Sequence, residues 1–370
     1  MFAADDSTEE TMTQSRWLKF AVVAVAAFGL IFIACSDDDD NGGGGGSGIL
    51  QTVLDRGELN CGVKETQPGF GFLSPDGTRS GNDIEFCRAV AAAVLGNANS
   101  VVFVPASAQD RFELLAAGEI DVLIRTTTWT ASRDADLKGD FVTTTFYDGQ
   151  GMMVRSDSGI STLEDLAGAT ICVTSGTTTE GNLDDQFTAR NIAYTPLSFE
   201  NDPEIQAAFI EGRCDGWTAD KSNLAGQRAQ FPDSAGGSAA LTILGETLSK
   251  EPLGPVTPDG DSEWNDVVQW IVFGMIQADE FGITSENVGS HVANPANRNV
   301  ARLLGVGFDG NAAEDFGLGI PVDFMQKVLQ QVGNFDEVYQ RTLTPIGLAR
   351  EGSLNASWLN GGAIFAPPMR

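Results

Sequence analysis

The spacing of apolar positions divides the chain into three stretches. Residues 20–33, FAVVAVAAFGLIFI, are apolar or glycine throughout. From Ile49 onward, short apolar runs bounded by glycine, proline and asparagine alternate with segments of helical period. This pattern predicts a short helix over 49–55 stopped by Gly57 and a strand in ELNCGV. A helix from Asn82 or Asp83 to Leu95, a strand in SVVFVP, a helix over 108–117 and a strand in IDVLIR follow. Asn82 or Asp83 would cap the second helix through its side-chain oxygen, and Gly96 would end it. The same logic repeats over 152–220. Strand MMVR leads to a short helix over 163–166, strand TICVTS, a helix over 179–190, strand AYTPLSF, a helix over 202–211 and strand GWTAD. Alternation of this kind specifies an α/β protein with mostly parallel sheets flanked by helices. Two such units in series imply a cleft between them. Beyond Ser262 the pattern turns helical, notably in DSEWNDVVQWIVFGMIQADEFG, and the chain closes with GGAIFAPPMR.

The uninterrupted run at 20–33 follows Arg16 and Lys19 and precedes Ala34-Cys35-Ser36. It falls short of the roughly 20 residues needed to cross a bilayer, so residues 1–34 read as a signal peptide, with a short membrane anchor as the alternative. Asp5, Asp6, Glu9 and Glu10 do not suit a positive leader and suggest that translation starts at Met12. Ile33-Ala34-Cys35 resembles a bacterial lipobox, which makes Cys35 the site of lipidation and the new N-terminus. Residues 35–48 carry aspartates and glycines with nothing to bury, and form a flexible tether.

Composition narrows the function. The 370 residues are 42% hydrophobic and 20% charged, enough for two ordinary cores. A net charge of −29 repels phosphate backbones, which argues against a nucleic-acid partner. His291 is the single histidine, so neither a Ser-His-Asp triad nor a multi-histidine metal site has material to form. No metal or cofactor is expected. Gly305 to Gly310 spell G-x-G-x-x-G, but the motif follows the helix-like RNVARLL and lacks the strand that would let it cradle a pyrophosphate. No G-x-x-x-x-G-K-[ST] occurs either. Besides Cys35, four cysteines allow three connectivities. Placing two in each α/β unit favours Cys61 with Cys87 and Cys172 with Cys214. A zinc site from all four is the rival, without any C-x-x-C spacing to support it.

The segments PGFGFLSPDG, GNDIEFCRAVAAAV, TTTWTASRDADL, FYDGQGMMVR, ICVTSGTTTEGN, GRCDGWTAD, LSKEPLGPV and APPMR resemble the general L-amino-acid-binding proteins of polar amino-acid ABC importers, over Ile49 to Arg370. The resemblance implies a type II periplasmic-binding fold of two lobes. Lobe one would span 49–150 and lobe two 151–250. Residues 251–370 would return to lobe one and carry a C-terminal helical extension, with hinge crossings near 149–155 and 250–256. It further implies an exported, non-enzymatic protein, here lipid-anchored through Cys35, that closes on a free amino acid and delivers it to permease subunits, with an ATPase as an indirect partner.

An α-amino acid brings one carboxylate and one ammonium group, and burying both requires a counter-charge for each. By resemblance Arg133 clamps the carboxylate through its planar guanidinium, the alternative being a surface pair with Asp134 or Asp136. Thr177 and Thr178, at a helix start, would offer further donors to the same carboxylate, or simply cap the helix. Asp220, at the carboxyl end of GWTAD, would take the ammonium, with Thr128 and the main chain near Thr126 beside it; capping the next helix is its alternative role. Side-chain selectivity is expected from Gln67, Phe70, Gln109 and Arg125. Thr126 stands where the family pattern has asparagine, and Asn82 where it has an aromatic residue. Two other functions share this scaffold. One is a sensory module for a membrane receptor; the other is an exported dehydratase, which would need an additional acid or base beside the site.

Overall fold

The computed structural model describes residues 48–370; the signal peptide, Cys35 and nearly all of the tether lie outside the described residues. No helix among the described residues is long and apolar enough to cross a membrane. Two five-stranded sheets organise the chain. In the first, the strands run in the order Val101–Pro105, Leu59–Val63, Val122–Leu123, Val256–Pro258 and Gly139–Phe141. In the second the order is Thr195–Phe199, Thr170–Thr174, Gly216–Asp220, Gln150–Arg155 and Leu241–Ile243. The first three strands of each are parallel. Val256–Pro258 and Gln150–Arg155 run antiparallel to both their neighbours. The helices pack over these sheets to give two α/β lobes, as the expected fold requires.

The chain passes between the sheets through one antiparallel ribbon, Phe146–Asp148 against Glu251–Leu253, with Glu251 opposite Asp148. The first crossing therefore precedes the segment expected for it: Gln150–Arg155 is already a strand of the second sheet. Phe146 anchors the ribbon to the first lobe, edge-on to Phe70 at 5.2 Å and stacked with Tyr339 at 6.3 Å.

Alternation along the strands explains the burial. In the second sheet Met152, Val154, Ile171 and Val173 face one way onto Leu183 and Phe187, while Met153, Cys172 and Trp217 face the other onto Ile205, Phe209 and Leu224. In the first lobe the helix Asn82–Leu95 is buried on nearly every side, with Ala89, Ala91, Ala92 and Ala93 letting it lie close to its neighbours. It lies among the sheet and the helices Ser262–Glu280, Phe324–Gln331 and Phe335–Thr342, so the C-terminal third completes the first core. Arg350 fastens the last segment. Its guanidinium donates to Asp279 and Asp336 at 2.6 Å each and lies over the rings of Phe335 and Tyr339. Asn355 then bonds both backbone groups of Tyr147, in the ribbon itself.

Several elements differ locally from expectation. The helix expected over 108–117 is confined to Arg111–Ala116, and 163–166 becomes a 3-10 turn, Glu164–Leu166. Neither Asn82 nor Asp83 caps the second helix: the cap position falls on Gly81, whose φ of 127° suits glycine. A β-carbon there would lie 2.0 Å from the Phe70 carbonyl oxygen. Gly305 follows the helix Arg298–Leu303, as the rejected nucleotide motif implied.

Cys61 is bonded to Cys87 and Cys172 to Cys214, with Cα separations of 6.1 and 5.7 Å. Each link lies within one lobe, joining strand to helix in the first and, in the second, the middle of Thr170–Thr174 to the turn before Gly216–Asp220. Cross-links that close loops of this size restrict the unfolded chain. Replacing Cys172 and Cys214 together by alanine is expected to cost about 2–4 kcal/mol, measured by denaturant unfolding under oxidising conditions. An unchanged unfolding midpoint would count against the link.

Candidate functional site

The strands Leu59–Val63, Val122–Leu123 and Gly216–Asp220 deliver the residues after their carboxyl ends to the space between the lobes, where open α/β sheets place their sites. A cavity of about 50 Å³ lies there, lined among others by Lys64, Arg111, Arg125, Arg133, Thr178 and Asp220. Lys64, Arg125 and Thr174 also line an adjoining cavity of about 270 Å³.

Arg133 follows the first sheet through a helical turn, Ser132–Asp136, and is 7% exposed. It donates to the Thr128 carbonyl at 2.9 Å and forms no pair with Asp134 or Asp136. The Trp129 indole takes Asp134 instead, at 2.6 Å. Burial lowers the basicity of Arg133, while Glu251 and Asp220 act to raise it. Across the cavity, Asp220 precedes the helix Lys221–Ala229 but makes no capping bond. Its Oδ1 is buried without a hydrogen-bond partner. Burial pushes the Asp220 carboxyl well above the usual range, and the charges of Asp148 and Glu251 push it further; Lys64 and Arg133 oppose them.

The two threonines divide their work. Thr177 caps the helix Thr178–Ala189, accepting from the Glu180 N–H at 3.2 Å. Thr178 donates to Glu251 at 2.8 Å and lies 3.4 Å from the Thr128 hydroxyl of the first lobe. Thr126 lines the cavity with a left-handed φ of 47°; its N–H bonds Asp83 and its hydroxyl bonds Gln67 at 3.2 Å. Gln67 is also in the wall and reaches Ser222 of the second lobe at 3.5 Å.

Two expected residues lie elsewhere. Phe70 is in the first core against Phe146, because its apolar ring is better buried under the ribbon than turned to a charged cavity. Gln109 is exposed and bonds Ser175 across the lobe boundary at 2.6 Å, outside the cavity wall.

Sequence reasoning missed Lys64, Arg111, Asp148, Asp202 and Glu251. Asp202, fully buried at its helix start, accepts from Lys64 at 2.6 Å and Thr66 at 3.0 Å in the first lobe and from Asn223 at 3.0 Å in the second. Glu251 accepts from Thr178, Asn182 and Ser249, so its carboxylate is held in place by contacts on both oxygens. Asp148, opposite it in the ribbon, has its carboxyl pushed up to about 6 by burial, against bonds from Gly149 and Ser222. The helix Lys221–Ala229 also approaches the first lobe closely. A β-carbon on Gly226 would lie 2.6 Å from the Pro68 carbonyl oxygen. No group of three or more metal-ligating side chains occurs among the described residues.

Asp83 gives a pH test. Burial raises its carboxyl to about 7, against the Thr126 N–H and the charges of Arg125 and Lys64. A carboxyl with a raised pKa binds its proton more tightly folded than unfolded, so stability is gained as pH falls through about 7 towards the ordinary carboxylate range. The melting temperature is expected to rise between pH 8 and pH 5, and Asp83→Asn, which keeps an acceptor for Thr126, to flatten that rise. An equal slope in wild type and variant would contradict it.

Comparison with known proteins places this geometry. The model of the bacterial extracellular solute-binding proteins, family 3, matches residues 59–288. The glutamate/glutamine/aspartate/asparagine-binding protein BztA of Rhodobacter capsulatus is 45% identical over 327 residues, 87% of this chain and 93% of that protein. The general L-amino acid-binding periplasmic protein AapJ of Rhizobium johnstonii is 43% identical over 326 residues, 87% of this chain and 92% of that one. Among solved structures, an ABC transporter/periplasmic binding protein from Brucella ovis with glutathione bound superimposes with a TM-score of 0.82 at 40% identity. That match covers 88% of this chain and all of the other.

Proposed function

The chain belongs to the bacterial extracellular solute-binding proteins of family 3, and from that footing we propose that it captures a free α-amino acid between its lobes for an ABC importer. One observation carries the reading: a buried arginine from the first lobe and a buried carboxylate with an unpartnered oxygen from the second line the same cavity. Arg133 receives the ligand carboxylate and Asp220 its ammonium. Thr128 and Thr178, in contact across the lobe boundary, stand beside the carboxylate. Glu251 holds Thr178 in place from the ribbon, so ligand contact and lobe geometry are linked. The lobes are 49–148 with 251–370, and 149–250, and they close about the ribbon. Binding rather than catalysis is supported by the relatives, whose names describe amino-acid-binding proteins.

A second reading is a longer ligand, such as a small peptide, favoured by the adjoining cavity of about 270 Å³. The Brucella ovis relative holds glutathione. Outside the described residues, Cys35 carries a lipid that keeps the exported protein on the membrane, and delivery is to permease subunits.

Titration calorimetry separates these roles. Arg133→Ala is expected to weaken every amino acid about 30-fold to several thousand-fold, because it leaves a buried carboxylate unpaired. Unchanged binding of a neutral, an acidic and a basic amino acid would remove Arg133 from the site. Because burial raises the Asp220 carboxyl and an arriving ammonium would favour its charged form, binding should weaken as pH falls, and its heat should vary with buffer ionisation enthalpy wherever that proton is released. Asp220→Asn should abolish that variation. For the anchor, Cys35→Ser is expected to move the protein from the detergent phase to the aqueous phase, and unchanged partitioning would exclude lipidation.

A further inference from the structure

Taking the amino-acid reading of the cavity as given, we propose that Arg111 and Arg125 form a second anion-binding subsite that selects dicarboxylic amino acids over their amides. The two guanidiniums are among the most buried charges in the molecule, 3% and 6% exposed, and both line the cavity. The Nε of each is buried without a hydrogen-bond partner, and neither side chain enters an ion pair among the described residues. That distinguishes them from the other cations of the wall. Lys64 is spent on Asp202, and Arg133 donates to Thr128 and faces Glu251 and Asp220.

Arg111 has no evident structural reason to be charged. It opens the helix Arg111–Ala116, where the helix dipole disfavours a cation, and its closest aromatic contact is its own neighbour Phe112. Buried guanidiniums without partners are costly, and a carboxylate satisfies several N–H donors at once. Burial and the like charges of Arg125 and Arg133 depress the basicity of Arg111, with Asp220 and Asp110 opposing; burial takes Arg125 to about 10, with Asp202, Asp83 and Asp110 as its opposing acids. None of those acids bonds either guanidinium.

The balance of charge in the cavity points the same way. A neutral amino acid supplies one carboxylate, for Arg133, and an ammonium, for Asp220, and leaves two cations unmatched. A glutamate or aspartate side chain supplies the missing anion. An amide can accept a hydrogen bond there but cannot neutralise the pair, so glutamate should outcompete glutamine.

Titration calorimetry on the exported chain with L-glutamate, L-glutamine and L-leucine tests this. Wild type is expected to bind glutamate at least tenfold more tightly than glutamine. Arg111→Met and Arg125→Met should each weaken glutamate roughly 10- to 100-fold, the range of a hydrogen bond to a charged group, and glutamine less than about threefold. Arg111→Lys should restore part of the difference, and circular dichroism checks that each variant is folded. The wild-type ratio needs no variant: glutamine bound as tightly as glutamate would overturn the subsite. So would Met variants that weaken both ligands by the same factor. If Arg133→Ala abolishes all binding while the glutamate-to-glutamine ratio survives in both Met variants, only this subsite falls. If Arg133→Ala binds glutamate, glutamine and leucine like wild type, the placement of the ligand carboxylate on Arg133 falls instead.

Discussion

Asp202 has no exposed surface, and a buried carboxylate is tolerable only when its lone pairs are occupied. Its partners come from both sides of the cleft: Lys64 and Thr66 from the first lobe, Asn223 from the second. This one group therefore requires the lobes to be together, and the remaining cross-lobe bonds gather around it. Gln227 donates to the Thr66 carbonyl, Gln67 meets Ser222, and Thr128 meets Thr178. The interface is polar and hydrogen-bonded, unlike the apolar cores above and below it. Such a surface can part and be rewetted at modest cost, whereas a core cannot.

The ribbon carries the other half of that design. Its first-lobe end is wedged between Phe70 and Tyr339 and bonded by Asn355, so the C-terminal third of the chain stiffens one side of the joint. Toward the second lobe it carries Asp148 and Glu251 side by side, two acids whose bonds run to Gly149, Ser222, Thr178 and Asn182. Rotation about the ribbon cannot leave those contacts undisturbed, and Thr178 is at the cavity wall. Joint and site thus share atoms.

What could be read without coordinates followed from period and local chemistry. Alternation in MMVR and TICVTS foretold the two faces of the second sheet, and strand-to-helix spacing put Thr178 and Asp220 after and at the carboxyl ends of strands, whereas Arg133 came from the family resemblance. The misplacements have physical causes. Phe70 lies between glycines in a segment that borders the cavity, and nothing local says that its ring turns inward onto Phe146. Asn82 and Asp83 are good caps by type, but Gly81 takes the cap because the Phe70 backbone comes too close for a side chain. Arg111, Lys64, Asp202 and Glu251 were invisible because they converge from distant segments. A buried arginine beside Phe112 and a surface arginine on a short helix look alike until the other lobe is present.

Gly226 shows how such an interface could be tuned. It touches no cavity wall and belongs to no core cluster, yet the Pro68 carbonyl leaves no room for a β-carbon. A side chain there would strain the arrangement in which the two lobes meet, while adding no group to the cavity wall. When the competent form is a fraction of the population, apparent affinity scales with that fraction for every ligand alike. Substitution at this glycine is thus a volume control without a tone control. It gives a lineage a way to match capture strength to the nutrient level of its surroundings while the order of preference among ligands stays as it was.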